Sequence, residues 1–385
     1  MDFDLTEEQI MTRNMARDFV EREVIPQEAE NDIEQRIPVE TLEKMKSLGF
    51  FGAPIPEKYG GMGIDHVTYG LLCEEFGRAS ASVFTTAFTV HTSLFQMTLL
   101  KWCNDAQKDK YLPQTTRGKL LGCFGLTEPN VGSNPAAMET SALKEGDNWV
   151  LNGNKMWISN GGIADLALVF AQADKAKAHR GIAAFLVERG WAGFSSQDIH
   201  GKMGLHASNT SELIFEDCRV PAENLIGDVG DGFKIAMYAL DNARVSTAAA
   251  CVGIAQACID ASVKYAQERR QFGKPIGSFQ LIQQMIADMI VETEAARFLV
   301  YRAFYLTDKE VPHTKEAAMA KYYASENALR AAKSSIQVHG GYGYSNEYPV
   351  ERYWRDAMGL TLYEGTSQIQ ELIIGRDSIG IRAFV

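Results

Sequence analysis

The chain lacks the glycine-rich turns that usually cradle phosphates. No GxGxxG follows a strand and opens a helix, and there is no GxxxxGK(S/T). A nicotinamide-binding site of the Rossmann kind and an NTPase phosphate loop are thereby excluded. Its six cysteines form no CxxC pair, so they are read as reduced, buried thiols of a cytoplasmic protein. Its seven histidines include no HxxxH or HExxH, and no metal site is expected. Positive charge is in short supply, with 38 Lys and Arg against 49 Asp and Glu and a net charge of −11. That excludes proteins that hold nucleic-acid backbones, although a local basic patch for a small anionic ligand stays open. No uninterrupted apolar run is longer than that of Leu166 to Ala171, which is too short to span a bilayer, so no membrane insertion is expected. The opening Met1-Asp2-Phe3-Asp4-Leu5 is acidic and carries no basic n-region, so neither a secretory signal nor a transit peptide is expected.

What is present divides into three stretches within 385 residues, enough for two or three packed units. The first third reads as helix. Thr6-Glu7-Glu8-Gln9 forms a capping box ahead of Met11, Met15 and Phe19, and Val39 to Leu48 is a second helix ending at Gly49. Further helices are expected over 66–78, 82–102 and 105–118. From about residue 120 the apolar period changes to two, with a hairpin expected around Asn152-Gly153 and short strands at Leu166–Ala171, Gly181–Val187 and Glu212–Phe215. After Gly230-Asp231-Gly232 helical spacing returns over 233–268, 278–307, 314–339 and 367–376. The expected fold class is α+β. A helical domain (1–120) precedes a β-sandwich or barrel (121–232) and a C-terminal helical bundle (233–385).

Four polar constellations interrupt these apolar patterns. Thr127-Glu128-Pro129-Asn130-Val131-Gly132-Ser133 reads as a turn after a strand. Lys155-Met156-Trp157-Ile158-Ser159-Asn160-Gly161-Gly162 puts a Trp beside a hydroxyl, suited to covering a flat ring and bonding its edge, though a buried structural Trp fits the same residues. Glu268-Arg269-Arg270-Gln271-Phe272-Gly273-Lys274-Pro275 sits at a helix C-terminus, where arginine either offsets the helix dipole or forks onto a pyrophosphate. Tyr363-Glu364-Gly365-Thr366-Ser367-Gln368 opens a late helix, where Glu, Thr and Ser also serve as caps.

Taken together and in this order, TEPxxGS, KxWISNGG, ERRQFGKPI, QVHGGYGY and YEGTSQIQ resemble the acyl-CoA dehydrogenase family over nearly the whole chain. The resemblance implies a homotetramer that binds FAD and an acyl-CoA substrate and passes electrons to an electron-transfer flavoprotein. By that resemblance Thr127, Trp157 and Ser159 contact the flavin. Arg269, Gln337, Gly340 and Gly341 of an adjacent subunit hold the pyrophosphate and adenosine, with Phe272 and Gln280 in the same region. Thr366 and Gln368 also touch the cofactor. Ser133, at the cofactor edge, and Asp241 match positions on the CoA arm; Arg244 matches an arginine near the catalytic carboxylate, and Gly365 lies at the substrate.

Glu364 matches the base that removes the α-proton while hydride leaves Cβ for flavin N5. One subgroup carries its glutamate immediately before the arginine equivalent to Arg244; here that residue is Ala243. Helix 82–102 should line the acyl pocket, with Thr85 and His91 among its candidates. Thr85 stands where glutaryl-type relatives carry an arginine, and a short, branched or cyclic acyl group is expected. Three alternatives stay open: an oxidase that uses oxygen, a dehydrogenase of carrier-bound acyl groups, and a non-catalytic flavin scaffold.

Overall fold

A computed structural model describes residues 4–381 and 383, so Met1–Phe3 of the N-terminal stretch lie outside the described residues. Helix α1 (Glu7–Phe19) starts at the Thr6 capping box, with both reciprocal bonds formed. It runs through a π turn into α2 (Ile25–Ile33). Helix α3 (Val39–Ser47) stops where Gly49 turns left-handed at φ +81°. After α4 (His66–Ala79), the expected 82–102 helix appears as α5 (Ala81–Phe84), a wide π-helical stretch over Thr85–Gln96 and α6 (Met97–Trp102). Helix α7 (Asp105–Thr116) closes the region.

The middle region is one mixed sheet of eight strands. They are β1 (Gly122–Gly125), β2 (Ser141–Glu145), β3 (Asn148–Ser159), β4 (Leu166–Gln172), β5 (Ile182–Glu188), β6 (Phe194–Asp198), β7 (Thr210–Pro221) and β8 (Leu225–Ile226). The order is β6-β7-β3-β2-β4-β5-β8, with β1 parallel to β4. The expected turn at Asn152-Gly153 is not one. The hairpin reverses at Gly146-Asp147, between Glu145 and its partner Asn148, and β3 runs on through Gly153. Gly153 instead sits at a register shift between β3 and β7. Its φ is +141° and a Cβ there would come within 2.7 Å of Thr140, so the asparagine-glycine pair marks a bulge, not a reversal.

The C-terminal region holds α8 (Gly232–Glu268), the two-residue pair β9 (Arg270–Gln271) and β10 (Lys274–Pro275), then α9 (Gln280–Asp308), α10 (Thr314–His339), α11 (Val350–Leu362) and α12 (Ser367–Ile379). Sequence spacing marks all of these helices except α11. By length and composition α8 could cross a bilayer, yet most of it is buried within the fold. It joins two cores. Ile235, Ala236, Ala239 and Ala243 pack with the sheet, whereas Val245 to Ile259 pack with the helices of both helical regions.

Close contact of α4 with α8 depends on glycine. A Cβ on Gly77 would lie 2.4 Å from Ala250 Cα, and one on Gly253 would lie 2.1 Å from the Glu74 carbonyl oxygen. Gly77→Ala gains roughly 0.5–1 kcal/mol of helix propensity but must push two backbones apart. A net loss of about 1–3 kcal/mol is expected, read as a lower urea midpoint; an unchanged or higher midpoint contradicts the close-packing argument.

Candidate active site

Helix α11 ends at Leu362 and α12 begins at Ser367, so the connection must reverse direction within four residues. It does so through two successive left-handed residues, Glu364 at φ +56° and Gly365 at φ +92°. Glycine adopts this freely, but a glutamate loses roughly 1–2 kcal/mol. Donors from three helices hold the turn. Arg244 Nε donates to the Glu364 carbonyl at 3.1 Å. Gln370 Nε2 donates to the Glu364 and Gly365 carbonyls at 3.1 and 2.9 Å. Lys321 Nζ donates to the Gly365 and Thr361 carbonyls at 2.8 and 3.2 Å. Arg244 is itself fixed by Asp241 at 2.7 Å, and Asp241 accepts from the Thr314 hydroxyl at 2.6 Å. Thr366 caps α12, and the Ser367 hydroxyl donates to Glu326.

The Glu364 N–H donates to no backbone carbonyl among the described residues, and its carboxylate takes part in no ion pair there. Burial raises the Glu364 carboxyl, Arg244 and Lys321 lower it, and it settles at about 7. A carboxylate tuned to that range can take a proton from a weak carbon acid and release it again near neutral pH.

On the sheet, Trp157 occupies a left-handed position at φ +62°, where β3 shifts register against β7 between Lys155 and Ile158. This bulge leaves the indole 61% exposed, as a flat platform beside half-buried Ser159. The Met156 N–H donates to the Thr127 carbonyl at 2.8 Å and ties the platform to the Thr127 turn. Beneath it lies a fully buried ion pair, Lys155 Nζ to Glu128 Oε1 at 2.6 Å. Burial alone would raise the Glu128 carboxyl. Lys155 and the Glu139 and Thr140 N–H groups overcome that and hold it below its ordinary value.

A third group lines a cavity of about 560 Å³ between the end of α8 and the end of α10. Arg269, Gln271, Gly340 and Gly341 form part of its wall with Tyr265, His339 and Tyr342. His339 stacks on Tyr265 at 4.2 Å, and the Arg269 guanidinium lies 5.5 Å from the Tyr342 ring centre. A Cβ on Gly340 or Gly341 would meet nothing within 4 Å, so the cavity floor is open backbone. Aromatic faces, a cation and bare peptide suit an adenosine with its pyrophosphate. Gln337, Gln280 and Phe272, the last 91% exposed, do not line the cavity. Neither Thr127, Trp157 nor Ser159 lines it.

Several expected residues therefore meet in the structure, and others stay apart. Asp241, Arg244, Glu364, Gly365 and Thr366 converge, and Thr85 reaches them through its hydroxyl, 3.4 Å from that of Tyr363. Asp241, expected on the CoA arm, spends its carboxylate on Arg244 and Thr314. Ser133 and Gln368 are exposed at their turn and helix. His91, expected among the residues of an acyl pocket, lies inside the protein. Its ring is fully buried, with Nδ1 accepting from the Gly122 N–H at 3.0 Å and Nε2 3.0 Å from both the Thr115 carbonyl and Gln96. Burial drives its pKa down to about 4, so it joins the π-helical stretch to β1 as a neutral ring. Lys321, Gln370 and the Lys155–Glu128 pair carry structural weight at the site that the motifs do not reveal. The available signal for Lys321 is a lone lysine among Ala317, Ala318, Ala320 and Ala324, with no acidic residue three or four positions away.

The fold and its three residue groups describe an oxidoreductase of the flavoprotein kind, and comparison with known proteins narrows this. Residues 6–119, 123–218 and 230–379 match the N-terminal, middle and C-terminal domains of acyl-CoA dehydrogenase. The short-chain-specific acyl-CoA dehydrogenase of Clostridium acetobutylicum is 44% identical over 97% of this chain and 98% of its own. A chain in the structure of the electron transferring flavoprotein of Acidaminococcus fermentans superposes with a TM-score of 0.97 at 44% identity, covering 98% of this chain and 100% of that one. Glutaryl-CoA dehydrogenase of Mycobacterium smegmatis in complex with FADH2 gives a TM-score of 0.94 at 32% identity, over 99% and 97%. The chain belongs to the acyl-CoA dehydrogenase family.

The raised Glu364 carboxyl makes a stability prediction. Its pKa in the fold lies above the roughly 4.3 of an unfolded glutamate, so its favourable contribution is present below that value. The contribution is lost as pH rises through about 7. Glu364→Gln, which never ionises, should match wild type near pH 4 and become about 1–3 kcal/mol more stable at pH 8. Thermal melts across pH test this; a constant difference between the two proteins contradicts a desolvated carboxylate.

Proposed function

We propose that this protein dehydrogenates a short acyl-CoA thioester between Cα and Cβ, with Glu364 as the base and FAD as the cofactor. The observation that carries the reading is the Glu364 turn: a carboxylate ionising near neutrality, its own N–H left free, clamped by Arg244, Gln370 and Lys321. FAD, when bound, supplies the acceptor for the hydride leaving Cβ. Thr127, Trp157, Ser159 and Thr366 would hold its ring end. Arg269, Gln337, Gly340 and Gly341 of a neighbouring subunit would hold its adenosine pyrophosphate, the part their cavity fits.

Glu364 takes the α-proton onto its carboxylate, and the product is the 2-enoyl thioester. As that proton leaves, negative charge grows on the thioester oxygen, where the free Glu364 N–H is suited to receive it. Arg244, bonded to the Glu364 carbonyl, keeps that N–H and the carboxylate in fixed relation. Thr85 at the Tyr363 hydroxyl, with no arginine for a distal carboxylate, favours an uncharged short acyl group, in line with the short-chain-specific relative. An electron-transfer flavoprotein is the partner we assign as electron acceptor. A homotetramer suits the exposed Leu281, Ile290, Val291 and Tyr305 on α9, an apolar surface of the kind that subunits cover. Six free, buried cysteines accord with the reducing cytoplasm.

An anaerobic screen of acyl-CoAs, following loss of oxidised flavin absorbance, tests the assignment. Bleaching by a short acyl-CoA with slow reoxidation in air is expected; rapid turnover with oxygen would make it an oxidase. Glu364→Gln should still bind substrate and slow reduction by roughly 10²–10⁴-fold. Reduction at the wild-type rate would send the proton elsewhere and end the proposal.

The subunit-bridging cofactor site has its own test. Arg269→Ala should weaken FAD retention by roughly 2–5 kcal/mol, as expected when one partner of a buried charge contact is truncated. Flavin content after gel filtration, with mass measured by light scattering, reads this out. A monomer that holds FAD unchanged would contradict the shared site.

A further inference from the structure

We propose that Lys321 is a positioning residue for the Glu364 base, fixing the turn that carries it and supplying the positive charge against which it ionises. The inference rests on the assignment of Glu364 above. A lysine is almost never fully buried without a carboxylate partner, because the ammonium loses its hydration. Lys321 is fully buried, and no acid lies in ion-pair range of it among the described residues. Alanines surround it on α10, where it packs against α8. A methionine would fill that space without desolvating a charge, so packing does not account for the lysine.

What Lys321 touches does account for it. Its ammonium reaches the Thr361 carbonyl in the last turn of α11 and the Gly365 carbonyl just past the base. The two acceptors bracket the left-handed pair. The first also belongs to the negative end of a helix dipole. The charged groups facing Lys321 are few. Helix α8 presents Arg244 and Cys251, α10 itself Glu326, and the connection Glu364. Glu326 is engaged by Ser367 of α12, while α9 meets α10 through Thr293, bonded to Asn327, and through the Arg302–Glu316 and Glu292–Arg330 pairs, in which each charge already has its partner. Arg244 and Lys321 are thus the two cations that favour ionised Glu364.

The test uses the FAD-loaded full chain as Lys321→Met and Lys321→Gln, with butyryl-CoA as probe and anaerobic stopped-flow reduction followed across pH. In both variants the limb on which the rate rises with pH should move to higher pH, since removing a positive charge favours the protonated carboxyl. In Lys321→Met the plateau should also fall about tenfold or more, the scale at which misplacing a reacting group by an ångström acts. Lys321→Gln, which keeps an N–H donor, should recover part of that loss. A second readout needs no turnover: the stability difference between wild type and Glu364→Gln should level off at higher pH, and at a larger value, when Lys321→Met is added to both. A limb and a stability difference that stay at their wild-type pH would make Lys321 merely structural and overturn the proposal. Failure of both variants to fold would do the same. Glu364→Gln run in parallel separates the two ideas, because an undiminished rate there removes the base itself, whereas a slowed rate with an unmoved limb removes only Lys321.

Discussion

Everything at the centre of this protein depends on a glutamate held in a backbone conformation that glutamate disfavours. Glu364 and Gly365 are both left-handed, and a free chain would relax the first of them. It is prevented by side chains from α8, α10 and α12 that converge on the two carbonyls. The position of Arg244 gives this clamp a longer reach. Residues of α8 before Arg244 pack against the sheet, and residues after it pack in the helical core. Asp241, one turn earlier, links Arg244 to the first residue of α10. Glu364 is therefore referenced to the junction of the two cores. A shift of either body would move Arg244 and the turn together.

The same device recurs away from Glu364. Lys155 sits under the Trp157 bulge, paired with Glu128 and donating also to the Leu126 carbonyl. Lys202 donates to the carbonyls of Leu205 and Ser208 and to the Thr210 hydroxyl, closing the loop that leads into β7. In each case a poorly hydrated ammonium organises irregular backbone. Burial pulls the pKa of all three lysines down to about 8. Helices and strands satisfy their own carbonyls, whereas irregular turns beside a cavity need donors from elsewhere. A lysine stem reaches across a packed layer to supply them. The arrangement costs desolvation energy and yields turns fixed more firmly than loops usually are.

The sequence revealed most where local chemistry decides structure. The Thr6 capping box, the glycine stop at Gly49 and the span of α10 follow from caps, breakers and spacing, and the structure has them. Asn152-Gly153 misled because the same dipeptide serves a tight turn and a bulge, and only the cross-strand partner distinguishes them. Helix α11 went unread although Val350, Ala357 and Leu360 keep helical spacing, because its buried Asp356 and its Arg355 find their partners far away in sequence, at Leu205 and at Asp32. The motifs located Glu364, Arg244 and the glycine pair of the cavity. They did not show Lys321 or Gln370 as holders of the Glu364 turn, since that role exists only once α10 and α12 lie beside it.

His91 and Glu364 show how burial separates structure from chemistry in one molecule. Both are titratable, and desolvation is the first influence on each. At His91 it pushes the ring toward neutrality, and the neutral ring then fits its surroundings, because Gly122, Thr115 and Gln96 occupy both nitrogens. Nothing remains for a ligand to complete. At Glu364 desolvation pushes toward the protonated acid, and two cations pull back until the balance falls near neutrality. Here the surrounding bonds go to the backbone carbonyls and leave the carboxylate and the N–H without hydrogen-bond or ion-pair partners among the described residues. Fixing a residue through its main chain keeps its side chain free to change protonation without disturbing what holds it. That division of labour explains why the clamp consists of donors to carbonyls. A donor placed on the carboxylate itself would lower its proton affinity further and occupy the atoms on which it takes up a proton near neutrality.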